Sequence, residues 1–212
     1  MLSYEQTLEQ VIKLPTKIYG LKHLPSIEPY SDNNLDGCLF DWPYTNIEVS
    51  EGNKDIVYKC LMRLGTKCRS IMEIGVHRNN TDSISTILMK KKPDPAIYVG
   101  IDIEDKSYLS NPTENIFTIK ANSHDQIFIR QSLQNLGINK LDLLMIDGWH
   151  SVNACINDWM YSDILNDNGV VIMHDSNAHP GPIALYDAID ENLFDKERYC
   201  LDDNGIAVAW KK

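Results

Sequence analysis

The sequence predicts an open α/β sheet, mostly parallel, with helices on both faces and an antiparallel hairpin at its end. Three observations carry that reading. From residue 53 onward, short apolar runs of strand length alternate with segments whose apolar residues recur at helical spacing, the pattern of a strand-helix series folded into one sheet. Two of the runs, Leu141–Ile146 and Gly169–Met173, lack the polar alternation of a half-exposed strand and suit strands buried on both faces. Near the end, Arg198–Leu201 and Ile206–Trp210 flank Asp202-Asp203-Asn204-Gly205, and Asn-Gly between apolar runs is a strong hairpin signal.

Residues 1 to 50 hold one helical candidate, Tyr4–Lys13, and then a stretch rich in Pro, Asn, Asp and aromatics through Asp41-Trp42-Pro43-Tyr44. They are read as an N-terminal arm or lid on a ligand-binding domain spanning 51–212, or more simply as a covering of one edge of its core. Ile56, Val57, Cys60, Leu61 and Leu64 fall on one helical face, and Gly65 supplies the stop. Ser70–Ile74 reads as the first strand and Ser83–Lys92 as a helix, its terminal lysines suited to the negative pole and Pro93 closing it. Ile97–Asp102 and Ile116–Lys120 are the next strands, and Ser123 is read as the cap of a helix reaching Gly137. After the Leu141–Ile146 strand, Val152, Cys155, Ile156, Trp159, Met160 and Ile164 form an amphipathic helix. Gly169 then opens the fifth strand.

A chain of 212 residues fits one generous domain. Its net charge of −10 argues against a protein that holds a phosphate backbone, so nucleic acid is disfavoured as a partner. Cys38, Cys60, Cys68, Cys155 and Cys200 form no C-x-x-C pair, which suits reduced thiols in the cytoplasm. The opening residues lack the basic start and apolar core of a signal peptide, and no run approaches a membrane span.

Chemistry concentrates at strand ends. In open α/β sheets, ligands bind outside the carboxyl ends of the strands, where side chains from neighbouring strands converge. Glu73 and Gly75 end the first strand, but the turn beyond carries His77, Arg78, Asn79 and Asn80 in place of bare glycines. Such side chains obstruct a pyrophosphate and tolerate a nucleoside ligand without phosphates, such as S-adenosylmethionine. Asp102 ends the second strand, near the spacing at which a carboxylate accepts both ribose hydroxyls. Asn122 and Ser123 follow the third strand and can present polar groups to an adenine edge. Asp147 and His150 close the fourth strand, and His174 and Asp175 the fifth, which would aim two carboxylates into one crevice. Since His174 immediately precedes Asp175, strand alternation predicts that the two point opposite ways, His174 taking a structural hydrogen bond. His179-Pro180-Gly181-Pro182 reads as a rigid loop able to line an acceptor pocket.

Taken in order, Glu73-Ile74-Gly75, Gly100-Ile101-Asp102, Asn122-Ser123, Ile146-Asp147-Gly148-Trp149-His150 and Ile172-Met173-His174-Asp175-Ser176 resemble the class I S-adenosylmethionine-dependent methyltransferases. Within them the chain is similar to the macrocin O-methyltransferase group, which includes proteins labelled cephalosporin hydroxylases, over roughly residues 50 to 212. The resemblance implies a Rossmann-like sandwich with a seven-stranded sheet in the order 3-2-1-4-5-7-6 and its last-numbered strand antiparallel. It places Glu73, Gly75, Asp102, Ile103, Asn122, Ser123 and Asp147 at the cofactor. Asp147, Asp175 and Ser176 would surround a divalent cation, usually magnesium, and His150 would be the general base. Many metal-dependent relatives carry Asn or Asp where Ser176 stands, a departure that leaves three readings open: a weakly held cation, one completed by Asn177, or no cation. Hard carboxylate oxygens suit magnesium, which makes a bound hydroxyl more acidic, and a histidine takes its proton near neutral pH. The implied activity is O-methylation of a small hydroxylated acceptor, a sugar or glycosylated metabolite; the oligomeric state stays open, an N-terminal arm being compatible with a homodimer. Two other readings stay open: a nicotinamide-dependent oxidoreductase, and a non-catalytic relative that only binds a ligand.

Overall fold

The computed structural model describes residues 17–25, 50–76 and 83–212. The Tyr4–Lys13 helix, the Asp41–Tyr44 stretch, Cys38 and the His77–Asn80 turn lie outside the described residues. Seven strands, β1 (Ser70–Ile74), β2 (Ile97–Asp102), β3 (Ile116–Lys120), β4 (Leu141–Ile146), β5 (Leu165–His174), β6 (Phe194–Tyr199) and β7 (Ile206–Lys211), form one sheet. Their order is β3-β2-β1-β4-β5-β7-β6. The first five run parallel to their neighbours, while β7 is antiparallel to both β5 and β6. The sheet order and the closing hairpin are those expected from the sequence.

Helices cover both faces. On one lie α1 (Glu51–Leu64) and α2 (Ile84–Lys91), whose Val57, Leu61, Ile84 and Leu88 pack on Ile71, Tyr98, Leu143 and Met145. On the other lie α3 (Gln126–Asn135), α4 (Val152–Trp159) and α5 (Pro180–Ala188), whose Ile129, Leu133, Ile156, Trp159 and Leu185 pack on Met72, Leu144 and Val171. All six residues of β4 are buried, as its apolar run requires. Ile18 and Leu21 join the second core, Leu21 bridges to Ile189, and Trp159 donates its indole N–H to the Tyr19 carbonyl at 2.8 Å.

Three local readings change. The cap of α3 is Asp125, which accepts from the Phe128 N–H, two residues beyond Ser123. A carboxylate at that position is a ready acceptor for a first-turn N–H. Strand β5 begins at Leu165 rather than Gly169: Leu141 pairs with Leu165, and after a register shift Leu143 pairs with Val170. The polar Asn166–Asn168 stretch hides that early start, with Asn168 at φ 62°. Pro180-Gly181-Pro182 is the buried first turn of α5, not a loop, because proline is preorganised for the start of a helix.

At the edge away from the strand carboxyl ends, buried Asp142 binds the chain together. It accepts from the N–H groups of Arg69 (2.7 Å) and Ser70 (3.1 Å) and from the Asn166 side chain (2.7 Å). No helix among the described residues is long and apolar enough to cross a membrane.

Candidate functional site at the carboxyl rim of the sheet

Strand register decides which residues meet. Ile74 pairs with both Ile101 and Ile146, and Ile146 pairs with Met173, so the residues that follow them, Gly75, Asp102, Asp147 and His174, come level along one rim. The turn after β1 lies directly against the turn after β4. Asp147 donates its N–H to the Ile74 carbonyl at 2.9 Å, and a β-carbon at Gly75, where φ is +84°, would strike the Asp147 carbonyl. Glycine alone allows that approach.

Asp147 and Asp175 converge on one nitrogen of a buried imidazole. His174 Nδ1 is 3.1 Å from Asp147 Oδ1 and 3.1 Å from Asp175 Oδ2. The expectation that His174 and Asp175 diverge is overturned: Asp175 has φ 57°, a left-handed turn that ends the strand alternation and returns its carboxylate to the cluster. On its far side, His174 Nε2 lies 3.1 Å from Asn53 Nδ2 in the first turn of α1. Burial disfavours charge on all three groups, but their mutual attraction prevails. His174 is held well above its ordinary pKa by Asp175 and Asp147, and both carboxyls are held below the usual carboxylate range by His174 and His150, with His179 adding to the hold on Asp175.

His150 stands at the open side of this cluster. Its Nε2 is 3.1 Å from Asp175 Oδ2 and 3.8 Å from Asp147 Oδ1, outside hydrogen-bond alignment with either. The ring stacks on His179 at a centroid distance of 4.2 Å. Helix α5 fixes this pair from below: the Gly181 N–H donates to the His150 carbonyl at 2.9 Å, and a side chain at Gly181 would collide with the same carbonyl.

The structure also resembles solved structures at the level of the fold. MycE methyltransferase from the mycinamycin biosynthetic pathway, in complex with Mg and SAH, matches at a TM-score of 0.55 and 17% identity over 74% of this chain and 48% of that chain. This chain thus spans about half the length of MycE. An O-methyltransferase from Bacillus cereus in complex with SAH matches at 0.53 and 14% identity, over 78% of this chain and 83% of that one. The O-methyltransferase TomG from Streptomyces achromogenes, in complex with SAM, matches at 0.51 and 14% identity, over 77% and 81%. The fold is that of the class I methyltransferases. No protein-family model and no curated protein matches the sequence.

Within this methyltransferase fold the remaining residues singled out from the sequence take distinct positions. Glu73 is fully buried on the α2 side, where its carboxyl accepts from the hydroxyls of Ser85 (2.8 Å) and Tyr98. Burial pushes it up to about 8. Asp102 accepts from the Val76 N–H (2.9 Å) and the Glu104 N–H (2.8 Å), tying the β2 end to the β1 turn, and Ile103 beside it is 64% exposed. Asn122 accepts from the His124 N–H at 3.0 Å, while Ser123 accepts the Tyr161 hydroxyl on its carbonyl at 2.7 Å. Asp158 of α4 is a buried acid pushed up to about 7 by desolvation, against which the nearby Ser123 side chain acts.

Ser176 is sealed from solvent, its hydroxyl without a hydrogen-bond partner among the described residues. Asn177 is tied to the hairpin turn, its amide N–H groups donating to the carbonyls of Cys200 (3.1 Å) and Asp203 (3.2 Å). Asn53, Tyr98, Ser85 and Asp158 were not singled out from the sequence. Nothing in their spacing sets them apart from ordinary helix and strand residues.

Proposed function

We propose that this chain is an S-adenosylmethionine-dependent O-methyltransferase acting on a small hydroxylated acceptor, with His150 as general base. The observation that carries the reading is the convergence of His150, Asp147 and Asp175 on the rim that Gly75 and Asp102 also occupy. Asp102 and Ile103, with Asn122 and Ser123, would hold the nucleoside half of the cofactor. Gly75 and Asp147 would lie beneath its methionine half. Glu73 would act from inside, ordering the β1 end through Ser85 and Tyr98.

In the transfer step the acceptor O–H gives its proton to His150, and the oxygen displaces the methyl group from the sulfonium, leaving a methyl ether and S-adenosylhomocysteine. The imidazolium formed at His150 faces the Asp175 carboxylate at 3.1 Å and Asp147 at 3.8 Å, charges that stabilise it where it develops. His174, anchored by Asn53, keeps both carboxylates aimed at that point. Alignment of oxygen, methyl and sulfur supplies much of the rest.

A divalent cation fits the donor set, because Asp147 and Asp175 offer carboxylate oxygens and the hydroxyl of Ser176, the residue after Asp175, is buried without a hydrogen-bond partner among the described residues. Those three residues would hold it, and it would make the acceptor hydroxyl more acidic. MycE, similar in fold, acts in the mycinamycin biosynthetic pathway, which supports a small biosynthetic metabolite as the acceptor; a sugar or glycosylated metabolite is the class proposed here. Thermal denaturation with S-adenosylhomocysteine tests the cofactor assignment. A rise in melting temperature is expected, whereas no shift with that ligand but a rise with NAD would replace this reading with the oxidoreductase one.

A further inference from the structure

We infer that the rim carries a site for a borderline transition-metal ion of the zinc and cobalt kind, held by His150, His179 and Asp175, and that an ion held there removes His150 from methyl transfer. The second half of this inference rests on the function proposed above; the site itself does not. It differs from the oxygen set of Asp147, Asp175 and Ser176 in both ligands and chemistry.

The donor geometry comes first. One ligand atom from each of His150, His179 and Asp175 lies within 4.8 Å of the other two. Two ligands bound to one ion at about 2.1 Å stand roughly 3.0 to 3.4 Å apart for right-angle to tetrahedral geometry. His150 Nε2 and Asp175 Oδ2 are 3.1 Å apart, inside that range, yet they are not aligned to share a proton. A contact of that length without a hydrogen bond leaves a buried ring nitrogen unsatisfied, and an ion between the two groups would satisfy it. The stacked rings of His150 and His179, 30° from parallel, can turn their edges to the same side.

The supporting shell is also in place. Metal-ligating groups are characteristically oriented by a second layer of hydrogen bonds. His174 Nδ1 stands 3.1 Å from Asp175 Oδ2 and orients that carboxylate, and His174 is in turn backed by Asn53. His179 stands immediately before α5, whose Gly181 N–H grips the His150 carbonyl, so one short segment fixes the spacing of both imidazoles.

Ligand softness then selects the ion. Two imidazoles and one carboxylate suit zinc, cobalt or nickel, while magnesium prefers oxygen donors and water. Both modes need Asp175, so the two ions exclude one another. A ring nitrogen whose lone pair is bound to an ion cannot accept the acceptor's proton, which makes such an ion an inhibitor rather than a helper.

The test uses the full chain and cobalt(II) as a spectroscopic probe. Cobalt should produce a visible absorption band with one-to-one stoichiometry; zinc should abolish it, and magnesium at hundredfold higher concentration should not. His179→Ala and the milder His179→Gln, each checked for folding by circular dichroism, should weaken cobalt binding at least tenfold. Nitrogen-edited NMR should show zinc moving the ring signals of His150 and His179. A band that survives in both His179 variants, or competition by magnesium at equal concentration, overturns the site. Cobalt binding without any S-adenosylhomocysteine-induced thermal shift supports the site and removes the methyl-transfer reading. The thermal shift without cobalt binding does the reverse.

Discussion

His150 and Glu73 carry the two most direct tests at the level of single side chains. Replacing His150 with alanine should reduce methyl transfer by about 10²- to 10⁴-fold, the usual contribution of a positioned base. The same variant should keep its thermal response to S-adenosylhomocysteine, because the proposed role sets the ring beside the acceptor and not under the nucleoside. Turnover undiminished in a tritium-transfer assay would remove His150 from the base role. Glu73 makes a pH prediction. Its pKa is 4.5 in the unfolded chain and about 8 in the folded one, so between those values the folded state holds the extra proton. Stability contributed by that proton is present at the acid end and lost as pH rises through the window. Glu73→Gln should therefore gain on the natural protein as pH goes from 4.5 to about 8, then hold its margin. Urea midpoints measured at both ends give the answer, and a constant gap between the two proteins would contradict it.

Elements set where those side chains stand. Gly181 lets the first turn of α5 lie against the His150 and Ser151 carbonyls. Gly181→Ala should cost about 1 to 3 kcal/mol in chemical denaturation, the range for forcing atoms into a filled space, and should lower turnover by displacing His150. Asp142, at the opposite edge, should cost about 1 to 3 kcal/mol on replacement by alanine, since the buried Ser70 N–H would be stranded and the Arg69 N–H would lose its partner, with no loss of cofactor response. The strands were legible in the sequence because apolar runs report burial directly: β1, β2, β3 and β4 begin and end where their composition changes. The early start of β5 was not legible, since four residues with three polar side chains read as a loop until their partner strand is known. Site residues at strand ends could be named for the same reason that the strands could. The meeting of His174 with Asp175 could not, because it depends on one left-handed residue that no spacing rule foretells. Asn53 was equally hidden, being a helix residue whose importance comes from a contact 121 positions away.

For the molecule as a whole, ligand linkage gives the broadest prediction. At a hundredfold excess over its Kd, S-adenosylhomocysteine should stabilise the fold by about 2.7 kcal/mol. For a domain of this size that corresponds to a melting temperature higher by about 5 to 10 °C. Calorimetry at several ligand concentrations should show the shift growing with the logarithm of concentration. Another whole-chain consequence lies in the turn between β6 and β7, where Asn177 meets the carbonyls of Cys200, Asp203 and Asn204. These contacts fasten the segment after Asp175 to residues that leave the ribosome later. During translation, then, the corner holding Asp175 and His179 stays loose after β1 to β5 have emerged, and it is secured only when the hairpin arrives. Any premature stop before residue 206 would leave the β5 edge bare, a species marked for proteolysis or aggregation rather than a partly working enzyme.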